Sequence, residues 1–128
     1  KSVMAPANFG ILGESGQMKG VVNVPSSTGG LRINIENSAG EMIRQLDLGQ
    51  ASAGQQAFSW DGQDGNGNDL PPGKYFVTAQ GSYPSGTEQL QTLMSANVDS
   101  VSLGQGGSIT LNLAGMGAIP LSDVQHIN

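Results

Sequence analysis

The sequence predicts an all-β protein, built as a sandwich or as a small barrel. Apolar residues recur at every second position in several short runs, which is the period of a strand with one buried face. Twenty glycines and many turn motifs separate these runs, at spacings near ten residues. Only 12% of the residues are charged, a low share for a globular chain. Many short strands joined by glycine-rich turns explain this composition.

The strand candidates follow one another along the chain. In the first clear run, Leu31, Ile33 and Ile35 occupy alternate positions, and polar residues occupy the positions between them. The same alternation marks three later runs and two weaker ones, at residues 56–60, 74–80, 108–113, 18–24 and 98–103. Turn residues lie between them. The tail, residues 121–128, fits either a final helical turn or a last strand.

Residues 38–46 are ambiguous between a helix and a strand. Ser38 and Glu41 have the spacing of a helix capping box. Met42, Leu46 and Leu48, however, share strand parity, and a glycine ends the run after about eight residues, which is short for an independent helix. We therefore predict a strand.

The charge pattern argues against two classes of partner. Ten acidic and five basic residues give a net charge of -5. The basic residues are scattered, so no patch exists to neutralise phosphates, and we expect neither nucleic acid nor an anionic membrane surface as a partner. No apolar run approaches the roughly 20 residues of a transmembrane helix. The chain starts at Lys1 without a signal peptide, and we expect a fragment or a processed chain.

The densest stretch of unusual residues is 59–77, with three aspartates, two asparagines, four glycines and two prolines. Asp64, Asn66 and Asn68 match the first, third and fifth positions of an EF-hand calcium loop, but the sixth and twelfth positions lack the required Gly and Glu. A structured turn explains the stretch better, because Asp and Asn side chains bond to nearby backbone N–H groups. We expect positive φ at the glycines of this turn: Gly62, Gly65 and Gly67.

Other chemistries fit this stretch poorly. Five residues, not four, separate Gly67 from Gly73-Lys74, and Tyr75 replaces the Ser or Thr of a phosphate-binding loop. His126 is the sole histidine of the chain, so this chain cannot form a catalytic triad by itself. Carboxylates such as Asp61 would be solvated on a glycine-rich turn. We predict no catalytic residue, no cofactor and no metal site.

Trp60 has two interpretations. Beside a polar loop it could stack on a sugar or a peptide. It is in step with Phe58 at the end of a strand, however, and this position favours a core anchor of a sheet.

Residues 59–77 resemble part of the immunoglobulin-like domain of the bacterial flagellar hook-capping proteins. These proteins are the hook assembly scaffolds of the basal-body rod modification family. Residues 35–49, 53–64 and 98–127 resemble further segments of that family, so that the resemblance covers roughly residues 20–127 as a C-terminal core fragment. It implies structural roles for the nine motif residues: Trp60, Asp61, Gly62, Asp64, Gly67, Asn68, Pro71, Gly73 and Tyr75.

The resemblance also implies a domain organisation. An immunoglobulin or fibronectin-III-like sandwich, residues 21–87, is expected to be inserted into a Tudor-like β-barrel made by both chain ends, residues 1–20 and 88–128. The two turn-rich seams in the sequence, at residues 23–30 and 82–88, agree with that division.

The function implied by the resemblance is a non-enzymatic one. Members cap the distal, extracellular tip of the growing hook after export by the flagellar secretion system. They act there as homo-oligomers under which hook protein subunits polymerise. Family members carry an N-terminal segment for export and docking, and we expect this chain to lack it. Two other hypotheses stay open: a carbohydrate- or peptide-binding module that uses Trp60, and a calcium-stabilised adhesin-like domain that uses Asp61, Asp64 and Asp69.

Overall fold

A computed structural model describes residues 1–126 of the chain. It contains two antiparallel sheets and, within the described residues, no α-helix. The prediction of an all-β protein is confirmed. The strands are β1 (Ser2–Pro6), β2 (Phe9–Leu12), β3 (Met18–Val24), β4 (Thr28–Glu36), β5 (Met42–Ala51), β6 (Gly54–Trp60), β7 (Gly73–Tyr83), β8 (Gly86–Leu90), β9 (Thr92–Leu103), β10 (Ile109–Leu113), β11 (Gly117–Pro120) and β12 (Gln125–His126).

The larger sheet is organised around β9. The first half of β9 pairs with β1 on one side and with β3 on the other, and β6 pairs with the outer edge of β3. The second half of β9 pairs with β10, which pairs with β11, while β12 pairs with β1. The Gln55 side chain in β6 donates a hydrogen bond to Gln125 Oε1 in β12 at 2.7 Å. Because β6 and β12 lie at opposite ends of the path β6-β3-β9-β1-β12, this sheet curls back on itself.

The smaller sheet is organised around β7. Strand β4 pairs along one edge of β7, and β5 pairs with the outer edge of β4. Strands β2 and β8 share the other edge of β7, each at one end. Residues 1–126 include no helix of the length and hydropathy that a membrane span requires.

Two hydrophobic clusters stabilise the fold. The larger one lies between the two sheets and contains the fully buried Trp60, Ile33 and Val77. The smaller one gathers around β1, β9 and β10, and its members are Val3, Ala5, Ala96, Leu111 and Leu113. The division into modules at residues 1–20 plus 88–128 and 21–87 stays a prediction. In the structure, β2 pairs with β7, and Leu12 and Met18 pack in the larger cluster.

The ambiguous segment forms a strand, as predicted. Asn37 accounts for the turn before it, because its Oδ1 accepts hydrogen bonds from the N–H groups of Ala39 and Glu41, each at 3.0 Å. The shared parity of the apolar residues in β5 does not give one buried face. Register shifts in the β4–β5 ladder change the side to which residues point, and Met42 is 57% exposed.

The tail combines both predicted alternatives. Leu121–Asp123 form a short 3-10 turn, and Gln125–His126 pair with β1. Ile127 and Asn128 lie outside the described residues.

Gly20 lies where β3 is held between β6 and β9. A Cβ atom at this position would lie 2.5 Å from Phe58 Cζ and 2.8 Å from Met94 Sδ. Both neighbours are buried in the larger cluster, so they have little space to move. Glycine is therefore required here by close packing.

We expect Gly20→Ala to lower the free energy of unfolding by about 1–3 kcal/mol, the usual effect of overpacking. Urea denaturation measures the change. Gly29→Ala in β4 is the matched control, because no atom lies within 4 Å of its added Cβ; its effect should stay within about 0.5 kcal/mol. Equal midpoints for the two variants would contradict this account of Gly20.

Candidate functional site

The loop between β6 and β7 begins at a buried tryptophan. Trp60 is the last residue of β6 and is 0% exposed. Its ring packs edge-on against Tyr75, with 5.1 Å between the ring centroids. Its indole N–H donates a hydrogen bond to the carbonyl oxygen of Gln63 at 2.9 Å. The ring faces the core, so it is unavailable for stacking on a ligand.

The first half of the loop is tied to β5 through Arg44. Arg44 Nη1 donates to Asp61 Oδ1 at 3.0 Å and to the carbonyl oxygen of Gln63 at 2.9 Å. Asp61 Oδ1 also accepts the N–H of Gln63 at 3.0 Å. The Asp61 side chain is 54% exposed, so the ion pair itself contributes at most about 1 kcal/mol. Its main effect is to fix the position of the loop.

The second half of the loop is organised by Asp64. Asp64 Oδ1 accepts the backbone N–H groups of Asn66 at 2.8 Å and Asn68 at 3.0 Å. The N–H of Gly67 donates to the Asp64 carbonyl oxygen at 3.1 Å. The backbone hydrogen bond from Asn68, followed by that from Asn66, lowers the pKa of Asp64, since both stabilise the charged carboxylate.

Two of the three glycines have the predicted backbone conformation. Gly62 has φ of 77° and Gly67 has φ of 83°, a region that residues with a side chain rarely adopt. Gly62 is also packed closely, because an added Cβ would lie 3.1 Å from the carbonyl oxygen of Gly16. The prediction for Gly65 is wrong: Gly65 is not among the residues with positive φ. The hydrogen bond from the Asn66 N–H to Asp64 Oδ1 forms the turn at this position without positive φ at Gly65.

The end of the loop is held against its beginning. The N–H of Leu70 donates to the Gly62 carbonyl oxygen at 2.9 Å. The Tyr75 hydroxyl donates to the Pro71 carbonyl oxygen at 2.6 Å, and burial raises the pKa of Tyr75. Gly73, with φ of 147°, starts β7. The loop is thus closed by backbone hydrogen bonds and by one buried phenol.

The three aspartates of the loop bind groups of the protein itself. Asp61 binds Arg44 and Asp64 binds backbone N–H groups, while Asp69 Oδ1 accepts the Gln63 side chain at 3.1 Å. Over residues 1–126, no three His, Cys, Asp or Glu side chains are grouped so that they could hold a metal ion. The arrangement stabilises a turn.

Sequence reasoning missed two contributors to the loop. Gln63 supplies the carbonyl oxygen that both Trp60 and Arg44 bind. Since every residue has a backbone carbonyl, no sequence signal identifies Gln63 as the acceptor. Arg44 is a lone cation in its strand, and its position opposite Asp61 depends on long-range pairing.

We expect Gly67→Val to destabilise the chain by about 1–2 kcal/mol or more, because a side chain at positive φ clashes with its own backbone. Gly65→Val is the matched control, since neither position has an atom within 4 Å of an added Cβ and only Gly67 has positive φ. Urea denaturation of both variants separates the effect of backbone conformation from the effect of the space around the added side chain. Similar losses for the two would refute the role of positive φ.

We expect a pH signature from Asp64. Its pKa is lowered by folding, so its stabilising contribution is present above the unfolded pKa of about 3.9 and is lost as pH falls through the folded pKa. The Tm of the chain should therefore exceed that of Asp64→Asn at pH 7, and the difference should shrink on acidification below about pH 4. Calorimetry across this range, with Asp99→Asn as the control for loss of one carboxylate, measures it. A Tm difference that is constant with pH would contradict the expectation.

Comparison with known proteins supports a single family. A family model described as the FlgD Ig-like domain matches residues 9–85. The basal-body rod modification protein FlgD of Salmonella typhimurium is 34% identical over 95 residues, and that of Escherichia coli K12 is 36% identical over 95 residues. Each match covers 73% of this chain and 40% of the relative. The matched part is therefore less than half of the length of these relatives.

Solved structures extend the similarity to the whole chain. FlgD from P. aeruginosa is 40% identical with a TM-score of 0.87, and the match covers 100% of this chain and 96% of that one. FlgD from Xanthomonas campestris, whose structure was described as giving insights into hook capping, is 36% identical with a TM-score of 0.84, over 99% and 91% of the two chains. The chain belongs to the FlgD family of flagellar hook-capping proteins.

Proposed function

We propose that this chain is part of a flagellar hook assembly scaffold. It sits at the tip of the growing hook and promotes the polymerisation of hook subunits, without catalysis. The observation that carries the proposal is the match to P. aeruginosa FlgD at 40% identity over the whole of this chain. The description of the Xanthomonas FlgD structure names hook capping as essential for flagellar assembly, and we extend a hook-capping role to this chain.

The geometry of the loop supports a structural role. Trp60, Arg44 and Asp64 each form a hydrogen bond with a backbone group of the loop. A scaffold that guides incoming subunits needs a body of fixed shape whose surfaces make repeated weak contacts. A loop whose three aspartates all accept hydrogen bonds from the protein itself contributes to such a shape.

We further propose a finer description of the fold. The larger cluster belongs to an immunoglobulin or fibronectin-III-like sandwich, and the smaller one to a Tudor-like barrel made by the chain ends. The smaller cluster supports the barrel, because all of its buried members come from the chain-end strands β1, β9 and β10. The predicted division at residues 21–87 is kept, with β2 (Phe9–Leu12) paired to the sheet of the sandwich.

The partners follow from the same proposal. The chain acts as a homo-oligomer outside the cell, at the end of the flagellar export channel, and its ligands are hook protein subunits. A net charge of -5 with only five scattered basic residues agrees with protein surfaces as partners rather than phosphate-rich ones.

The two alternative hypotheses are not favoured. A sugar- or peptide-binding module would need an exposed aromatic ring, and Trp60 is 0% exposed. A calcium-stabilised domain would need free carboxylates that converge on one point. Asp61, Asp64 and Asp69 instead each accept hydrogen bonds from donors of the protein itself.

Deletion of the full-length gene that contains this chain tests the proposal. We expect the deletion strain to be non-motile and to lack hooks in electron micrographs, because hook subunits no longer polymerise at the tip. Complementation with the wild-type gene should restore both hooks and swimming.

The empty vector is the control for complementation. Hooks of normal length and number in the deletion strain would overturn the proposed function. Tagged protein found only inside cells that build hooks would overturn the proposed location at the tip.

A further inference from the structure

The hairpin formed by β9 and β10 has one apolar face. In its ladder Val101 lies opposite Leu111, and Leu103 lies opposite Ile109. Residues that are directly opposite in an antiparallel pair, or two apart in one strand, point to the same side. The side chains of Val101, Leu103, Ile109 and Leu111 therefore form one continuous apolar surface, which we call the hairpin face.

The hairpin face runs from the core into solvent. Leu111 is 6% exposed and belongs to the smaller cluster. Exposure then rises to 36% at Ile109, 56% at Val101 and 80% at Leu103. Large apolar side chains that are exposed together, in continuity with a core, are typical of an interaction surface.

The opposite side of the hairpin is polar and fixed. Asn112 Nδ2 donates to the hydroxyl oxygens of Ser100 at 2.8 Å and Ser102 at 3.1 Å. At the tip, the N–H of Gly104 donates to the Ser108 carbonyl oxygen at 2.9 Å. Strand pairing therefore keeps Leu103 on the side of the hairpin opposite to Ser102 and Asn112.

The charge distribution indicates what covers the hairpin face. Residues 98–113 contain one charged residue, Asp99, whereas the whole chain carries a net charge of -5. Two copies of the chain repel each other when they approach through acidic surfaces such as the loop of Asp61, Asp64 and Asp69. They meet almost no such repulsion at the hairpin, and there each copy offers the other an apolar surface.

We propose that copies of this chain associate through the hairpin face. The proposal rests on the proposed function, in which the chain works as a homo-oligomer, and it names the surface that forms the contact. Three exposed side chains supply much less than the ~800 Å² per partner of a stable interface. The contact is therefore weak by itself, and it gains strength when several copies are held together in one assembly.

Sedimentation velocity over a concentration series of the chain tests the proposal. We expect reversible association of the wild-type chain, and we expect Leu103→Asp to raise its dissociation constant at least about tenfold. Ser102→Asp is the matched control: it adds the same charge to the adjacent residue, on the polar side of the same strand, and should leave association within about threefold of wild type. Leu103→Ser should weaken association without adding charge. Unchanged Trp60 fluorescence shows that each variant is folded.

Three results would overturn this inference. The wild-type chain could remain a monomer up to millimolar concentration, or Leu103→Asp and Leu103→Ser could associate as well as Ser102→Asp. The third result is loss of hooks with the Leu103→Asp allele while self-association is intact, which would assign the face to another protein. The proposed function is tested separately, because it fails only if the gene deletion leaves hooks normal.

Discussion

The loop depends on one hydrogen bond inside the core, from the indole N–H of Trp60 to the carbonyl oxygen of Gln63. A buried indole must find an acceptor, since an unsatisfied polar group in a core costs about 1–3 kcal/mol. Apolar side chains offer none, so the backbone three residues later has to turn back over the ring. That turn requires positive φ at Gly62 and places the Gln63 carbonyl within reach of Arg44 as well. Strand β5, the loop and the start of β7 are positioned by this constraint.

The same constraint explains why the carboxylates of the loop are engaged within the protein. Asp61 and Asp64 accept backbone N–H groups that the tight turn leaves without a partner in regular secondary structure, and Asp69 accepts the side-chain amide of Gln63. A cation or a substrate would have to compete with these internal hydrogen bonds. Under the proposed scaffold function, the chain acts through the surfaces of its two sheets.

Local patterns predicted most of the fold, and long-range pairing decided the rest. Period-two runs identified β3, β4, β6, β7, β10 and the second half of β9, but they did not identify β1, β2, β8 or β11. The helix–strand ambiguity at residues 38–46 resolved as a strand because β4 supplies a partner for it. The bulges that expose Met42 arise from how β4 and β5 register, which no local pattern encodes. Positive φ was correctly expected at Gly62 and Gly67 but not at Gly65, where the side chain of Asp64 provides the turn. The partnership of Arg44 with Asp61 and the exposure of Leu103 depend on tertiary geometry, which short motifs cannot specify.

Strand β9 belongs to both hydrophobic clusters. Met94 packs in the larger one and Ala96, two residues later, packs in the smaller one. No flexible linker separates the clusters at this point, so a load on the hairpin is transmitted along a continuous extended backbone into the sandwich. An extended strand without a hinge transfers force instead of absorbing it, and this stiffness suits the proposed role of an assembly scaffold.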